Sequence, residues 1–120
     1  MHEHLLIITP GSLTTVQDQG RFGHQKLGVP QSGALDTYAS TIANKLVGNS
    51  PQAAVLEMTV IGPTIAVLKK TTLAVTGAEV RLKVNGRQVE SWKRFDVQPG
   101  DLLQIGQVRK GCRMYLAVAG

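Results

Sequence analysis

The chain is short of several things, and each shortage closes off a class of protein. It has a single cysteine, Cys112, in 120 residues, so neither an internal disulfide framework nor a cysteine-built zinc site is available. That thiol has no histidine partner nearby in the sequence and reads as a structural side chain. Aromatic residues make up 4% of the chain, too few for the stacking platforms on which nucleic acids are read. No apolar run approaches the ~18 residues of a helical membrane span. The start, from Met1 and His2 to Ile8 and Thr9, lacks the basic flank and long apolar centre of a secretory signal. No G-x-x-x-x-G-K-[ST] phosphate loop and no G-x-S-x-G nucleophile elbow occurs. A cytoplasmic protein without a nucleic-acid or membrane partner is the expectation.

What is present suits one small packed domain. The apolar share is 42%, with 13 glycines and 5 prolines, levels that go with a core and many turns. Charge is uneven. Residues 1–68 carry three Lys/Arg against four Asp/Glu, and residues 69–120 carry ten against four, giving −1 and +6. A basic half can face an anionic ligand or an acidic partner, but a charge run most often marks a solvated strand face.

Hydrophobic periodicity predicts a mostly β fold, a small barrel or sandwich. Leu5 to Thr9 reads as a strand that residues 12–17 extend. Strands also follow at 55–60, 65–68, 72–76, 80–84, 95–97, 103–105 and 114–118. Asn85-Gly86 is the strongest hairpin signal, because both residues tolerate positive φ. One main helix is expected at 36–47, with Leu35, Ala39, Ile42, Ala43 and Leu46 as its buried face. Asp36 or Ser32 supplies the cap, and Gly48 the left-handed stop. The opposite face, Thr37, Ser40, Thr41 and Asn44, is polar yet uncharged, which predicts that the preceding glycine-rich stretch or a partner covers it.

That stretch, residues 17–36, has no clean period. A loop this long in a small domain is commonly functional. Asp18 and Arg21 stand three apart. One reading has Arg21 hold an anionic substrate group while Asp18 orients it or moves a proton; the other makes them an internal clamp. Gly28 to Gly33 forms a bend that presents backbone N–H groups near the helix start, either an anion seat or a plain turn and cap. Glu57 sits in an apolar strand and needs a donor there. His2, His4 and His24 make a weak metal set, since exposed histidines are ordinary and no carboxylate support is evident, and no metal is expected.

Three segments carry a family resemblance. They are Gly11 to Gly23 with Gln17-Asp18-Gln19-Gly20-Arg21, Gly28 to Asp36, and Ala43 to Asn49. Ala54 to Thr59, Gly62-Pro63, Ala74 to Ala78, Asn85-Gly86 and Gly111 to Val118 continue the match. Together they resemble the biotin-dependent carboxyltransferase / allophanate hydrolase subunit 2 family. The resemblance implies a cyclophilin-like β-barrel, two such domains in a full member, and hence a chain that is the N-terminal half of a longer protein. It implies the C-type subunit (KipA-like) of an ATP-dependent 5-oxoprolinase. Such a chain works with partner subunits of the A and B types, the latter KipI-like, on a small amide or carboxylated substrate. The implied alternatives are a biotin-dependent carboxyltransferase fragment related to urea carboxylase, and a regulator that antagonises a KipI-like histidine-kinase inhibitor. ATP then serves the whole complex rather than this domain, and biotin, with no Met-Lys attachment motif here, belongs on a partner protein. A fragment would be inactive alone.

With that resemblance, Asp18 and Arg21 are the candidate catalytic pair. Thr14, Thr15, Gln17, Ser32, Gly33 and Asp36 line the expected substrate site, with Asn44 and Glu57 behind them, and donors at Gly33 suit a developing oxyanion. Replacing Arg21 by Ala in the full complex is expected to lower substrate-dependent turnover and leave assembly intact, measured by steady-state rates beside gel filtration. Loss of folding would establish the clamp instead.

Overall fold

A computed structural model of the chain describes residues 4–9, 11, 13–17, 36–59, 61–109 and 112–120. Along them run β1 (Leu5–Thr9), β2 (Leu13–Gln17), α1 (Thr37–Leu46), β3 (Val55–Thr59), β4 (Thr64–Val67) and β5 (Thr71–Gly77). Then come β6 (Leu82–Val84), β7 (Arg87–Val89), β8 (Arg94–Val97), β9 (Leu102–Ile105) and β10 (Arg113–Val118). The strands make two five-stranded antiparallel sheets. The front sheet runs β1-β4-β9-β6-β7 and the back sheet β2-β3-β10-β5-β8. The mostly β class with one main helix is therefore as expected.

Residues 13–17 do not extend the first strand. They form β2 and pair with β3 in the other sheet. The switch follows Pro10-Gly11: Gly11 takes φ +75 and lies so close to the Ile61 carbonyl that a side chain there would collide with it.

The two sheets pack face to face. Ile65, Leu82 and Leu103 of the front sheet meet Met58, Leu73, Met114 and Leu116 of the back sheet, all without exposed surface. The outer face of the back sheet is covered as well. There α1 sets Ala39 and Ala43 on Val55, Tyr115 and Ala117. Strand β10 is therefore buried from Met114 to Val118 without alternation, as strands covered on both faces are.

The helix is rotated from its expected orientation. Its buried residues are Ala39, Ser40, Ala43 and Asn44, whereas Ile42 and Leu46 stay partly exposed. Of the polar side, Ser40 and Asn44 are buried, Thr41 is partly buried and Thr37 is exposed. Small side chains let the helix backbone approach closely, and the side-chain donors find local acceptors, although Asn44 Oδ1 is buried without a hydrogen-bond partner among the described residues. Ser40 Oγ donates to the Thr37 carbonyl at 3.1 Å, and Asn44 Nδ2 donates to the carbonyls of Ala53 at 2.8 Å and Pro51 at 3.3 Å. From the sheet, Thr76 Oγ1 donates to the Ala39 carbonyl at 2.6 Å.

Both helix ends are closed. Asp36 Oδ1 accepts from the Ala39 N–H at 3.0 Å, the N-cap bond that isolated helix starts lack. At the other end Gly48 (φ +81) donates to Lys45 O and Asn49 to Asn44 O, which is a Schellman closure. Asn85 (φ 52) and Gly86 (φ 82) make the two-residue turn between β6 and β7. Trp92, the lone tryptophan, also takes positive φ, at 60°. Its N–H donates to Val75 O at 2.7 Å and its indole Nε1 to Gly77 O at 3.2 Å. Its ring centroid lies 6.2 Å from that of Tyr38, on the first turn of α1.

Gly77 and Gly86 both need positive φ, but only Gly77 is pressed against backbone, at the Arg113 carbonyl; nothing lies within 4 Å of a Cβ at Gly86. Gly86→Ala is expected to cost about 1 kcal/mol, and Gly77→Ala more than about 2 kcal/mol from strain plus collision. Denaturant unfolding of the two variants side by side checks the ranking.

Candidate functional site

The antiparallel registers place a row of polar residues across the outer face of the back sheet. Thr15 on β2 is opposite Glu57 on β3, Glu57 is opposite Tyr115 on β10, and Tyr115 is opposite Thr76 on β5. The N-terminus of α1 sits over this row. A tyrosine buried among apolar side chains must place its hydroxyl on a polar partner. Tyr115, with no exposed surface, accepts the Asp36 N–H at 2.8 Å and hydrogen-bonds the Glu57 carboxylate. One phenol thus joins the helix cap to the middle of the sheet.

Burial pushes the Tyr115 pKa up to about 12, helped by the hydrogen bond to Glu57 and by the charges of Glu57 and Asp36; the Asp36 N–H pulls the other way. The hydroxyl is therefore a firm donor to Glu57 at neutral pH. Together the groups offer a fixed carboxylate, a neutral phenol and a capped helix start, an arrangement that can orient a small polar ligand or hold a proton on Glu57's partner.

Of the residues expected at the site, Asp36 and Glu57 are brought together through Tyr115. Thr15 is aligned with them by backbone register, Gln17 is opposite Val55, and Thr14 is opposite Met58. Asn44 lies eight residues beyond Asp36, roughly 12 Å along the helix, with its amide engaged by the 51–53 turn. Asp18, Arg21, Ser32 and Gly33 lie outside the described residues, as do His2 and His24 of the histidine set. Among the described residues no cluster of His, Cys, Asp or Glu is arranged to hold a metal.

Tyr115 is the residue that the sequence reading missed. The signal was there: a tyrosine in an otherwise apolar run, needing a hydroxyl partner, in a chain with a glutamate in the apolar run of another strand.

Comparison with known proteins agrees with the fold. The family described as "Carboxyltransferase domain, subdomain A and B" matches residues 27–120. The chain is 41% identical over 115 residues to a urea amidolyase of Lachancea kluyveri, covering 95% of this chain and 6% of that protein. It is 40% identical over 116 residues to the C subunit of 5-oxoprolinase from Escherichia coli, covering 97% of this chain and 37% of that one. The crystal structure of the K. lactis urea amidolyase superposes with a TM-score of 0.85 at 38% identity, over 97% of this chain and 7% of that one. The chain thus spans well under half the length of these relatives.

Tyr115→Phe is expected to cost about 1–3 kcal/mol, the range for stranding buried hydrogen-bond partners. The wild type should also lose stability, relative to that variant, as pH rises. Below pH ~10 the phenol is neutral in both states and its contribution is complete. From there to about 12 the unfolded chain releases the proton while the folded chain keeps it, so the folded state is disfavoured as pH climbs. Unfolding curves at neutral and alkaline pH check the slope. Phenolate absorbance of Tyr38→Phe, which leaves Tyr115 as the remaining one of two tyrosines, checks the titration itself.

Proposed function

The chain belongs to the carboxyltransferase subdomain A and B family, and from that membership we propose that it is the N-terminal domain of a 5-oxoprolinase C subunit. The observation that carries the reading is the 40% identity to the Escherichia coli C subunit over 97% of this chain. The proposed reaction opens the cyclic amide of 5-oxoproline to glutamate with ATP hydrolysis, in a complex with the A-type and the KipI-like B-type partner subunits.

The substrate of that reaction carries one amide and one carboxylate. A site for it needs donors and acceptors held rigid against a hydrophobic floor, and the Glu57–Tyr115–Asp36 junction supplies such a frame. Glu57 is held by the phenol, which fixes the orientation of its carboxylate. ATP is handled by the assembled complex; this chain has no phosphate loop of its own.

A second reading is favoured by the 41% identity to urea amidolyase. In it the domain is part of a carboxyltransferase that receives a carboxyl group from biotin. The chain has no Met-Lys attachment site, so the biotin is carried by a partner or a fused domain.

Reconstitution of the full-length protein with its two partner subunits separates these readings. Hydrolysis of ATP that depends on both 5-oxoproline and this protein is the expected result. No stimulation by the protein overturns the first reading, and urea-dependent carboxyl transfer from biotin would establish the second.

A further inference from the structure

Two residues before Tyr115 on β10 stands Arg113. Strand alternation puts it on the same outer face as Tyr115, since Met114 and Leu116 enter the core between the sheets while Tyr115 and Ala117 face the helix layer. Its register partner on β3 is Thr59, one row along from Glu57. Its own backbone is fixed, with the carbonyl accepting the Ala78 N–H at 2.8 Å.

The side chain is in an unusual state. Arg113 is partly buried, its Nε has lost its contact with solvent, and among the described residues that Nε has no hydrogen-bond partner and the guanidinium no ion pair. Other arginines, Arg81, Arg87, Arg94 and Arg109, are exposed and need no partner. A guanidinium keeps its charge at any accessible pH. An enclosed N–H donor left without an acceptor among the described residues is unfavourable, and an anion reaching the guanidinium would supply one.

We propose that Arg113 binds the carboxylate or carbamate of a small ligand on the outer face of the back sheet, beside the Glu57–Tyr115 pair. Its planar fork suits a two-oxygen anion held by parallel hydrogen bonds. The nearest acid by register is Glu57, diagonally across β3 and β10 at the ~7–8 Å typical of such pairs. It is a competitor for Arg113, but its carboxylate already receives the Tyr115 hydroxyl. Asp36 is likewise turned back into its own helix as the cap. The two acids are thus held by other groups, and among the described residues no acid pairs with Arg113. Tyr38 and Trp92 stand at the same end of the sheet, where Trp92 bonds Gly77 next to the Arg113 backbone, and provide an apolar border.

The proposal deepens the functional reading and rests on it only for the identity of the ligand. Its test is equilibrium binding to the full-length protein, by calorimetry, of 5-oxoproline, of 2-pyrrolidinone (the same ring without the carboxylate) and of bicarbonate. Three proteins are compared: wild type, Arg113→Met and Arg113→Lys. The wild type is expected to bind 5-oxoproline and not 2-pyrrolidinone. Arg113→Met is expected to weaken that binding about 10- to 100-fold, the range for one charged hydrogen-bonding group, and Arg113→Lys less so. Without ligand, Arg113→Met should melt no lower than wild type, since it removes a charge that has no ion pair among the described residues and nearly keeps the volume. Bicarbonate binding that depends on Arg113, with none for 5-oxoproline, supports the site and overturns the 5-oxoprolinase reading. Equal binding of every probe by wild type and Arg113→Met, or no binding of any anion by wild type, overturns the site. So does a lowered melting temperature in Arg113→Met that disappears when the same change is made in a Glu57→Gln background, because loss of the effect with the acid is the signature of an internal pair.

Discussion

A phenol sealed away from water has one proton to give and lone pairs to fill, and the arrangement around Tyr115 follows from that demand. Its proton goes to Glu57 and its oxygen takes the Asp36 N–H. Those two bonds pin the start of α1 to the centre of the back sheet. Everything placed on the outer face inherits its position from them, because the helix cap, the glutamate strand and the last strand meet there.

The hydrophobic terms are divided between two layers. The space between the sheets is filled by large aliphatic side chains and methionines, whose burial supplies the main driving force. The layer between α1 and the back sheet uses alanine, serine and asparagine instead. Such a layer buries less apolar area, so it depends more on hydrogen bonds: Thr76 to Ala39, Asn44 to the 51–53 turn, and Tyr115 to the cap. A helix held in this manner is positioned accurately, which is what a site built at its N-terminus requires.

Much of the fold was legible from local chemistry. The Asn85-Gly86 turn, the Asp36 cap and the Gly48 stop are dictated by φ preferences and unpaired backbone groups, which act over a few residues. Two features were not legible for a common reason. The buried face of α1 looked apolar from Leu35, Ala39, Ile42, Ala43 and Leu46, but the sheet selected the small side, since close approach outweighed full burial of Ile42 and Leu46. Strand β10 looked like a plain core strand, because burial on both faces erases the alternation that would have set Arg113 and Tyr115 apart from Met114 and Leu116. The candidate site was therefore half visible. Asp36 and Glu57 could be named from their types and surroundings, whereas their link through Tyr115 depends on register across the sheet, which no local pattern encodes.

The backbone of Trp92 is held in a conformation that bulky residues avoid, with its indole tethered to β5 and its ring beside Tyr38. The chain has no other indole. Its fluorescence is consequently an intrinsic gauge of the distance between helix and sheet at that edge of the back sheet. Any ligand or protein that levers the first turn of the helix outward will change the emission without a dye having to be attached.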